Sequence, residues 1–260
     1  SGHRVSVATN RGFETLVRAH GLDFRPVAGD PRAIMETGIG QRLLKERHSV
    51  IPGTRELLRI VEADLTQATV DCWDAALDAD LLIVSHLGLA LGCHIAEKLR
   101  IPMVRAYLFP VSPTRDYPVL VPNSWSLGSN FNLSTHLLSR QLLWVAIRSS
   151  MNRVRRQVLD LPPMSLRDPF KEIDERRWPH LYCYSPEVIP RPSDWGSWIH
   201  VTGFAFLEAP SGWHPPVGLL KFIEDGPPPV YIGFGSMPSR NPEDTAGMVL
   251  TALSRTRQRG

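Results

Sequence analysis

The sequence has few of the features that mark specialised classes of protein. Its 260 residues include only three cysteines (Cys72, Cys93 and Cys183), an odd number without metal-site spacing, which predicts reduced thiols in a cytoplasmic protein. No apolar run approaches the roughly 18 residues that a membrane-spanning helix needs. The formal net charge of +3 comes from 29 basic and 26 acidic residues spread along the chain, which argues against nucleic-acid binding. The nine histidines show no mutual spacing typical of a metal site, so we predict no bound metal.

What the sequence does contain is an alternation of apolar strands and amphipathic helices, and 43% of its residues are apolar, enough to form a sizeable core. The pattern predicts these elements in order: a strand over Arg4–Thr9, a helix over Phe13–His20, a strand over Phe24–Val27, a helix ending near Asp78, a strand over Leu81–Ser85, a helix over Leu89–Leu99 and a strand over Ile101–Tyr107. Apolar strands separated by helices are typical of a parallel sheet with helices on both faces. We therefore predict an α/β fold.

The next part of the chain changes character. Residues 110 to 135 are rich in proline and asparagine without any period, which predicts a long loop of functional importance. A helix follows over 140 to 156, with Arg148, Arg153, Arg155 and Arg156 on the side opposite its apolar residues. That basic side is a solvated helix surface or a contact for anionic lipid. Short apolar segments at His180–Tyr184 and Trp198–Thr202 predict edge strands of the first sheet.

Proline marks the predicted domain boundary, since 13 of the 23 prolines lie between Pro162 and Pro229. We predict an N-terminal domain over 1–207, a linker over 208–229 and the start of a second domain over 230–260. The second domain opens with a strand beginning at Val230. A helix then begins near Asn241, a good N-cap residue with Pro242 at the first helical position.

Two groups of residues are candidates for a functional site. The turn Gly233–Ser236 follows the strand at Val230, where glycine lets backbone amides approach a phosphate, but an ordinary strand-to-helix turn has the same pattern. His86 follows the strand Leu81–Ser85 and is a candidate base or hydrogen-bond donor, or a histidine bonded to nearby backbone. Aromatic residues of the loop can line an apolar pocket, contact a membrane or anchor the loop: Phe109, Tyr117, Trp125 and Phe131.

Several stretches resemble, in the correct order, the two-domain nucleotide-sugar glycosyltransferases, in particular the sterol 3-beta-glucosyltransferases and the related antibiotic-aglycone glucosyltransferases. The stretches that carry the resemblance are Gly2–Thr9, Gly21–Pro31, His94–Pro102, Phe109–Arg115, His200–Phe204 and Pro228–Met237. They cover nearly the whole chain, so their combination is far more specific than any single motif.

The resemblance implies two facing Rossmann-like domains of the GT-B type. The first domain is expected to bind an acceptor alcohol, and the second, of which the chain holds the first strand and helix, a UDP-sugar, usually UDP-glucose. Transfer in this family inverts the anomeric carbon without a metal ion or a cofactor beyond the sugar donor. By resemblance Gly235 and Ser236 contact the donor, and the loop from Phe109 to about Phe131 borders the acceptor. Together with the candidate after the third strand, we expect four residues to line the acceptor: His86, Phe109, Trp125 and Phe131.

Two family features fall outside the sequence. The acidic residue implicated as the catalytic base is expected upstream of Ser1, and the later donor motif beyond Gly260, so we predict that the chain alone transfers no sugar. A sterol or other lipophilic acceptor implies peripheral membrane contact. The alternatives are a polyketide or peptide aglycone as acceptor, or a non-catalytic binding module of the same fold.

Overall fold

The computed structural model describes residues 2–30, 65–119, 127–167, 170–208, 212–235 and 241–260. The described residues form two compact units: the first extends to Ala205, and the second runs from Phe206 to Gly260. The division into an acceptor-binding domain, a linker and the start of a donor-binding domain stays a proposal.

The first unit begins with a parallel strand-helix-strand motif. Strand β1 (Ser6–Thr9) pairs in parallel with β2 (Asp23–Pro26), and helix α1 (Glu14–Ala19) connects them. The chain turns after α1 at Gly21, whose φ of 69° is costly for any residue with a Cβ. The motif confirms the parallel pairing predicted from the length of the connection.

A second, four-stranded parallel sheet forms the centre of this unit, in the order β3-β4-β5-β6. Its strands are β3 (Leu82–Val84), β4 (Met103–Tyr107), β5 (His180–Tyr182) and β6 (Ile199–Val201). Four helices precede or connect these strands along the chain: α2 (65–76), α3 (Leu89–Leu99), α4 (Ser129–Gln157) and α5 (Phe170–Glu175). Strand β6 lies at an edge as predicted, whereas β5 is an interior strand because it pairs with β4 on one side and β6 on the other.

The main core of the first unit packs helix α3 and the loops against this sheet. Met103 and Tyr182 are fully buried, and Tyr107 and Ala96 are 1% exposed. Helix and sheet approach closely at Gly92, where an added Cβ would lie 2.4 Å from Cγ1 of Val84. Glycine at this position therefore sets the spacing between α3 and β3.

Helix α4 is longer than the sequence predicted. It begins at Ser129, so the loop predicted over 110 to 135 is wrong for its last seven residues, and Phe131 lies on the helix. The inner side of its first turns is polar: Asn132, Thr135 and His136 are buried there. Because these residues are held by hydrogen bonds instead of apolar contacts, the apolar period that normally reveals a helix is missing.

The second unit contains helices α6 (Val217–Glu224) and α7 (Pro242–Thr256), neither of which has a buried residue. Helix α6 lies inside the predicted linker, while α7 begins after Asn241 as predicted. The strand predicted from Val230 does not form: residues 230–235 are not paired in a sheet, and the described part of this unit contains no neighbouring strand. A strand needs a partner for its backbone groups, which explains the difference.

Candidate functional site

The candidate site lies at the carboxyl edge of β3 and β4. His86 follows β3 and Phe109 follows β4, and the structure brings the two rings together with centroids 5.0 Å apart at 63°. His86 also meets the ring of Tyr107 edge-on at 5.3 Å. Parallel strands bring the loops after their carboxyl ends to one edge of the sheet, which is where α/β proteins bind ligands.

His86 is an uncharged polar group in largely apolar surroundings. It is half-buried, and this burial lowers its pKa from the ordinary value of 6.5, so the imidazole is neutral at pH 7. Its Nδ1 atom is buried and has no hydrogen-bond partner among the described residues. Phe109, whose ring contacts that of His86, is 50% exposed, and Leu87 and Leu108, which follow the ends of β3 and β4, are 82% and 75% exposed. A neutral nitrogen beside exposed apolar groups suits an uncharged hydroxyl on an apolar molecule.

The side chain of Tyr182 of β5 holds the loop after β4 in place through hydrogen bonds. The Tyr182 hydroxyl accepts hydrogen bonds from the backbone N–H groups of Val111 (3.0 Å) and Ser112 (2.7 Å). The same hydroxyl donates its own hydrogen to Oγ of Ser112 at 2.8 Å. Because three bonds converge on one buried oxygen, the chain that begins at Phe109 is held in one place.

His180 extends this network. Its Nδ1 lies 3.2 Å from Oγ of Ser112, and since that oxygen already accepts from Tyr182, it donates to the imidazole. Burial, reinforced by the charge of Arg105 and by His86, lowers the pKa of His180 to about 3. The ring is therefore neutral with its hydrogen on Nε2, and both Nε2 and the nearby Tyr107 hydroxyl are buried without a partner among the described residues. Ser112 and His180 are far apart in sequence, so no motif spacing could have revealed them.

A second set of contacts holds the far end of the same loop. Asp194 accepts hydrogen bonds from Oγ1 of Thr114 (2.7 Å) and from the backbone N–H of Arg115 (2.8 Å). In return, the carboxylate of Asp116 accepts from the backbone N–H of Ser193 at 2.9 Å. The described part of the loop is thus tied to the turn before β6, and its backbone is a preformed part of the site.

The arginine-rich helix contains one residue that the sequence analysis placed wrongly. Arg155 was predicted on a solvated side of the helix, but it is 3% exposed. Its guanidinium donates to both carboxylate oxygens of Glu97 at 2.7 and 3.0 Å and lies 2.8 Å from Nδ1 of His94. His94 and this guanidinium hold the pKa of Glu97 at about 2. Helices α3 and α4 are therefore joined by a partly buried ionic contact, beside which His94 is 4% exposed.

The remaining predicted site residues are dispersed or lie elsewhere. Phe131 is half-buried in the first turn of α4. Gly235 lies in the second unit with a φ of 60°, and apart from its chain neighbours no described residue has an atom within 4 Å of the position that a Cβ would take. Trp125 and Ser236 lie outside the described residues. In the described part of the chain, His86 and Phe109 are the only predicted acceptor residues whose rings are in contact.

No three histidine, cysteine, aspartate or glutamate side chains in the described ranges are arranged to hold a metal ion. No helix in that part of the chain is both long and apolar enough to cross a membrane.

These observations define an α/β protein with parallel sheets flanked by helices and a polar group among apolar residues at the carboxyl edge. Over nearly its whole length the chain is homologous to part of the fungal sterol 3-beta-glucosyltransferases, which confirms the resemblance. The protein of Neosartorya fischeri is 38% identical over 258 residues, 97% of this chain and 17% of that protein. The protein of Aspergillus fumigatus is 38% identical, with 97% and 18% covered. That of Cryptococcus neoformans is 34% identical, with 97% and 16% covered.

The chain thus spans about a sixth of the length of the curated relatives it matches. Among solved structures, CalG4, the calicheamicin glycosyltransferase, aligns with 83% of this chain and 48% of its own, with a TM-score of 0.47 and 14% identity. No family model matches the sequence.

Proposed function

We propose that the chain is the acceptor-binding part of an inverting, metal-independent glycosyltransferase of the GT-B type. The reaction transfers a hexose, most simply glucose, from a UDP-sugar to the hydroxyl of a sterol or another lipophilic alcohol. The observation that supports this proposal most strongly is the similarity of 97% of the chain to proteins named sterol 3-beta-glucosyltransferase.

The acceptor half of the proposal depends on His86 and its neighbours. An acceptor hydroxyl would bond to the neutral His86 imidazole, while its apolar body would cover Leu87, Leu108 and Phe109. Covering these exposed side chains is favourable by about 25 cal/mol for each Å² of apolar surface removed from water. In this arrangement the neutral His86 positions the hydroxyl.

The donor half depends on the segment that ends at Gly235. In the proposed complex, backbone N–H groups near Gly235 and Ser236 and the N-terminus of α7 bind the donor diphosphate. Oriented backbone amides stabilise anionic oxygens without a cation, so the proposed transfer needs neither a metal ion nor a further cofactor. The lipophilic acceptor favours a cytoplasmic protein that contacts a membrane surface.

Acceptor binding tests the first half directly. We expect the chain to bind the fluorescent sterol dehydroergosterol, with energy transfer from tryptophan, and ergosterol to compete. Replacing His86 by Phe keeps an apolar ring but removes the hydrogen bond, which should weaken sterol binding about three- to tenfold. The matched control His200→Phe changes an exposed histidine of β6 and should leave the affinity unchanged.

A sterane without its hydroxyl sharpens this experiment. The wild-type chain should bind it less tightly than ergosterol. The variant His86→Phe should bind the two ligands with equal affinity. Equal binding of the two ligands to the wild-type chain would show that His86 does not recognise the hydroxyl.

Transfer is measured with the complete gene product. UDP-glucose and ergosterol should yield a sterol glucoside of the expected mass in the presence of a chelator. A panel of UDP-sugars then identifies the donor, and polyketide and peptide aglycones test the alternative acceptors. Product from an aglycone but never from a sterol would overturn the acceptor class.

A further inference from the structure

The ring of Tyr107 contacts two histidines of the first unit. It meets His86 edge-on with centroids 5.3 Å apart and His180 edge-on at 4.7 Å. Each of the three rings has a buried polar atom without a partner among the described residues: Nδ1 of His86, the hydroxyl of Tyr107 and Nε2 of His180. Burying a polar group without a hydrogen bond is costly, and ordered water commonly supplies the partner. The three rings are therefore candidates for a shared hydrogen-bond network.

The hydrogen bonds that lead to His180 run in one direction. They begin at the backbone N–H groups of Val111 and Ser112, which can only donate, and both donate to the Tyr182 hydroxyl. That hydroxyl gives its own hydrogen to Oγ of Ser112, and the Ser112 hydroxyl gives its hydrogen to Nδ1 of His180. A neutral imidazole that accepts at Nδ1 carries its hydrogen on Nε2. His180 therefore has only a donor left to offer.

The same direction, continued, determines what His86 offers. The donor Nε2 of His180 needs an acceptor, and a tyrosine hydroxyl that accepts still has a hydrogen to give. The remaining buried atom, Nδ1 of His86, then serves as the acceptor. Because burial lowers the pKa of His86, its imidazole is neutral at pH 7 and carries a single ring hydrogen. That hydrogen lies on Nε2 when Nδ1 accepts.

We propose that Tyr107 and His180 are positioning residues of the acceptor site, joined to His86 through bound water, and that they fix the His86 imidazole as a hydrogen-bond donor. Nε2 of His86 then donates to the oxygen of the acceptor hydroxyl and does not take up its proton. Of the two roles that the sequence allowed for His86, base and donor, the network selects the donor. The inference rests on the acceptor role proposed for His86 and adds what it recognises: an oxygen that accepts, with or without its own hydrogen.

Three steroids with the same skeleton test this direction, each in competition with dehydroergosterol: cholestanol, cholestanone and cholestane. The alcohol donates and accepts, the ketone only accepts, and the hydrocarbon does neither. If His86 donates, the wild-type chain should bind the alcohol and the ketone with similar affinity and the hydrocarbon about three- to tenfold more weakly. A ketone that binds as weakly as the hydrocarbon, beside a tightly bound alcohol, would overturn the proposal.

The variant Tyr107→Phe keeps the ring and removes the hydroxyl. It should lower the affinity for the ketone about two- to fivefold and leave that for the hydrocarbon unchanged, because the imidazole is no longer held in its donating form. The matched control Tyr184→Phe removes another buried hydroxyl without a described partner, from a ring that contacts Tyr182. It should bind all three steroids like the wild type. Equal losses in the two variants would contradict a specific role for Tyr107.

Nitrogen-15 NMR of the histidine rings at pH 8 identifies the tautomers without any ligand. In the wild-type chain His86 and His180 should both carry the hydrogen on Nε2, with signals assigned from His86→Phe and His180→Asn. Tyr107→Phe should turn His86 alone into a mixture of tautomers. Ser112→Ala removes the donor to His180 and should change both imidazoles. Thermal unfolding checks that each variant is folded.

The NMR experiment separates this inference from the acceptor proposal. A wild-type His86 with its hydrogen on Nδ1, or a His86 tautomer that Tyr107→Phe leaves unchanged, would overturn the network even if sterols bind. A chain that binds no sterol but shows the expected tautomers would overturn the acceptor proposal and keep the network.

Discussion

Two short segments of similar composition have different structures in the two units. Strand β4, Met103–Tyr107, has both neighbouring strands, and its first and last side chains are 0% and 1% exposed. The segment that begins at Val230 is at least as rich in β-branched and aromatic residues, yet it is not paired in a sheet, and Tyr231 is 94% exposed. Strand propensity therefore yields a strand only where partners for the backbone and the side chains are present.

The helices of the two units differ in the same way. Helix α4 has nine buried residues, whereas α7 has none. The C-terminal turn of α7 is nevertheless well formed, with Arg257 in the left-handed conformation and its N–H bonded to the carbonyl of Leu253. Local signals thus suffice to form and end a helix, but tertiary packing decides how much its side chains contribute to stability.

The largest expected effect compares a buried and an exposed methionine. Met103→Ala in β4 removes a fully buried side chain and should cost about 2 to 5 kcal/mol of unfolding free energy. Met248→Ala in α7 changes a side chain that is 67% exposed and should cost less than about 0.5 kcal/mol. Urea unfolding followed by far-ultraviolet circular dichroism measures both. Similar losses for the two variants would mean that α7 is packed as tightly as β4.

The next effect compares two arginines near the ends of α4 and α7. Arg155→Met should cost about 3 kcal/mol, because Glu97 and His94 lose their buried partner while the helix keeps a long apolar side chain. Arg255→Met changes an exposed arginine and should be close to neutral. Thermal unfolding distinguishes them, and a variant Arg155→Met as stable as the wild type would contradict a structural role for the ion pair.

The sequence predicted most of the first unit because its signals there are local. Helix α3 has the predicted bounds, and β3 and β4 lie within the predicted strands. His86 and Phe109 were identifiable because residues that follow parallel strands meet at one sheet edge. These inferences need only the hydrophobic period and the topology of parallel sheets.

The features that the sequence did not reveal depend on long-range polar contacts. The buried hydrogen-bond network of Ser112, His180 and Tyr182 joins segments about 70 residues apart, and single residues of such a network carry no pattern. In the sequence, Arg155 cannot be told apart from the solvated arginines beside it. Only its contact with Glu97, which lies far away in the chain, marks it as a buried residue. The first turns of α4 escaped prediction for the same reason, since Asn132 and His136 replace the expected apolar residues.

A third prediction concerns pH and the buried imidazole of the first unit. The pKa of His180 is about 3 in the folded chain and 6.5 in the unfolded chain. Above pH 6.5 both states are neutral, but below it only the unfolded chain takes up the proton, so the unfolding free energy falls as the pH falls towards 3. From pH 6.5 to pH 5 the loss should be about 2 kcal/mol.

The variant His180→Asn isolates this contribution. Its amide oxygen can still accept the Ser112 hydrogen bond, but it does not titrate, so stability measured in urea should depend less on pH. His200→Asn, at an exposed position of β6, should keep the wild-type pH dependence. An unchanged pH dependence in His180→Asn would show that the imidazole is already protonated in the folded chain or equally accessible to protons in both states.

The smallest effect concerns the backbone of the segment after Val230. The Val230 N–H donates to the carbonyl of Arg259 at 2.6 Å, and residues 231–235 donate no backbone hydrogen bond among the described residues. Hydrogen exchange should therefore be fast at Ile232 and Phe234, slower at Val230, and slowest across β4, where exchange requires opening of the sheet. Amide-resolved exchange at pH 7 measures all three. Protection at Ile232 and Phe234 equal to that of β4 would mean that the segment is paired as a strand, and the contrast between the two units would then be one of side-chain burial alone.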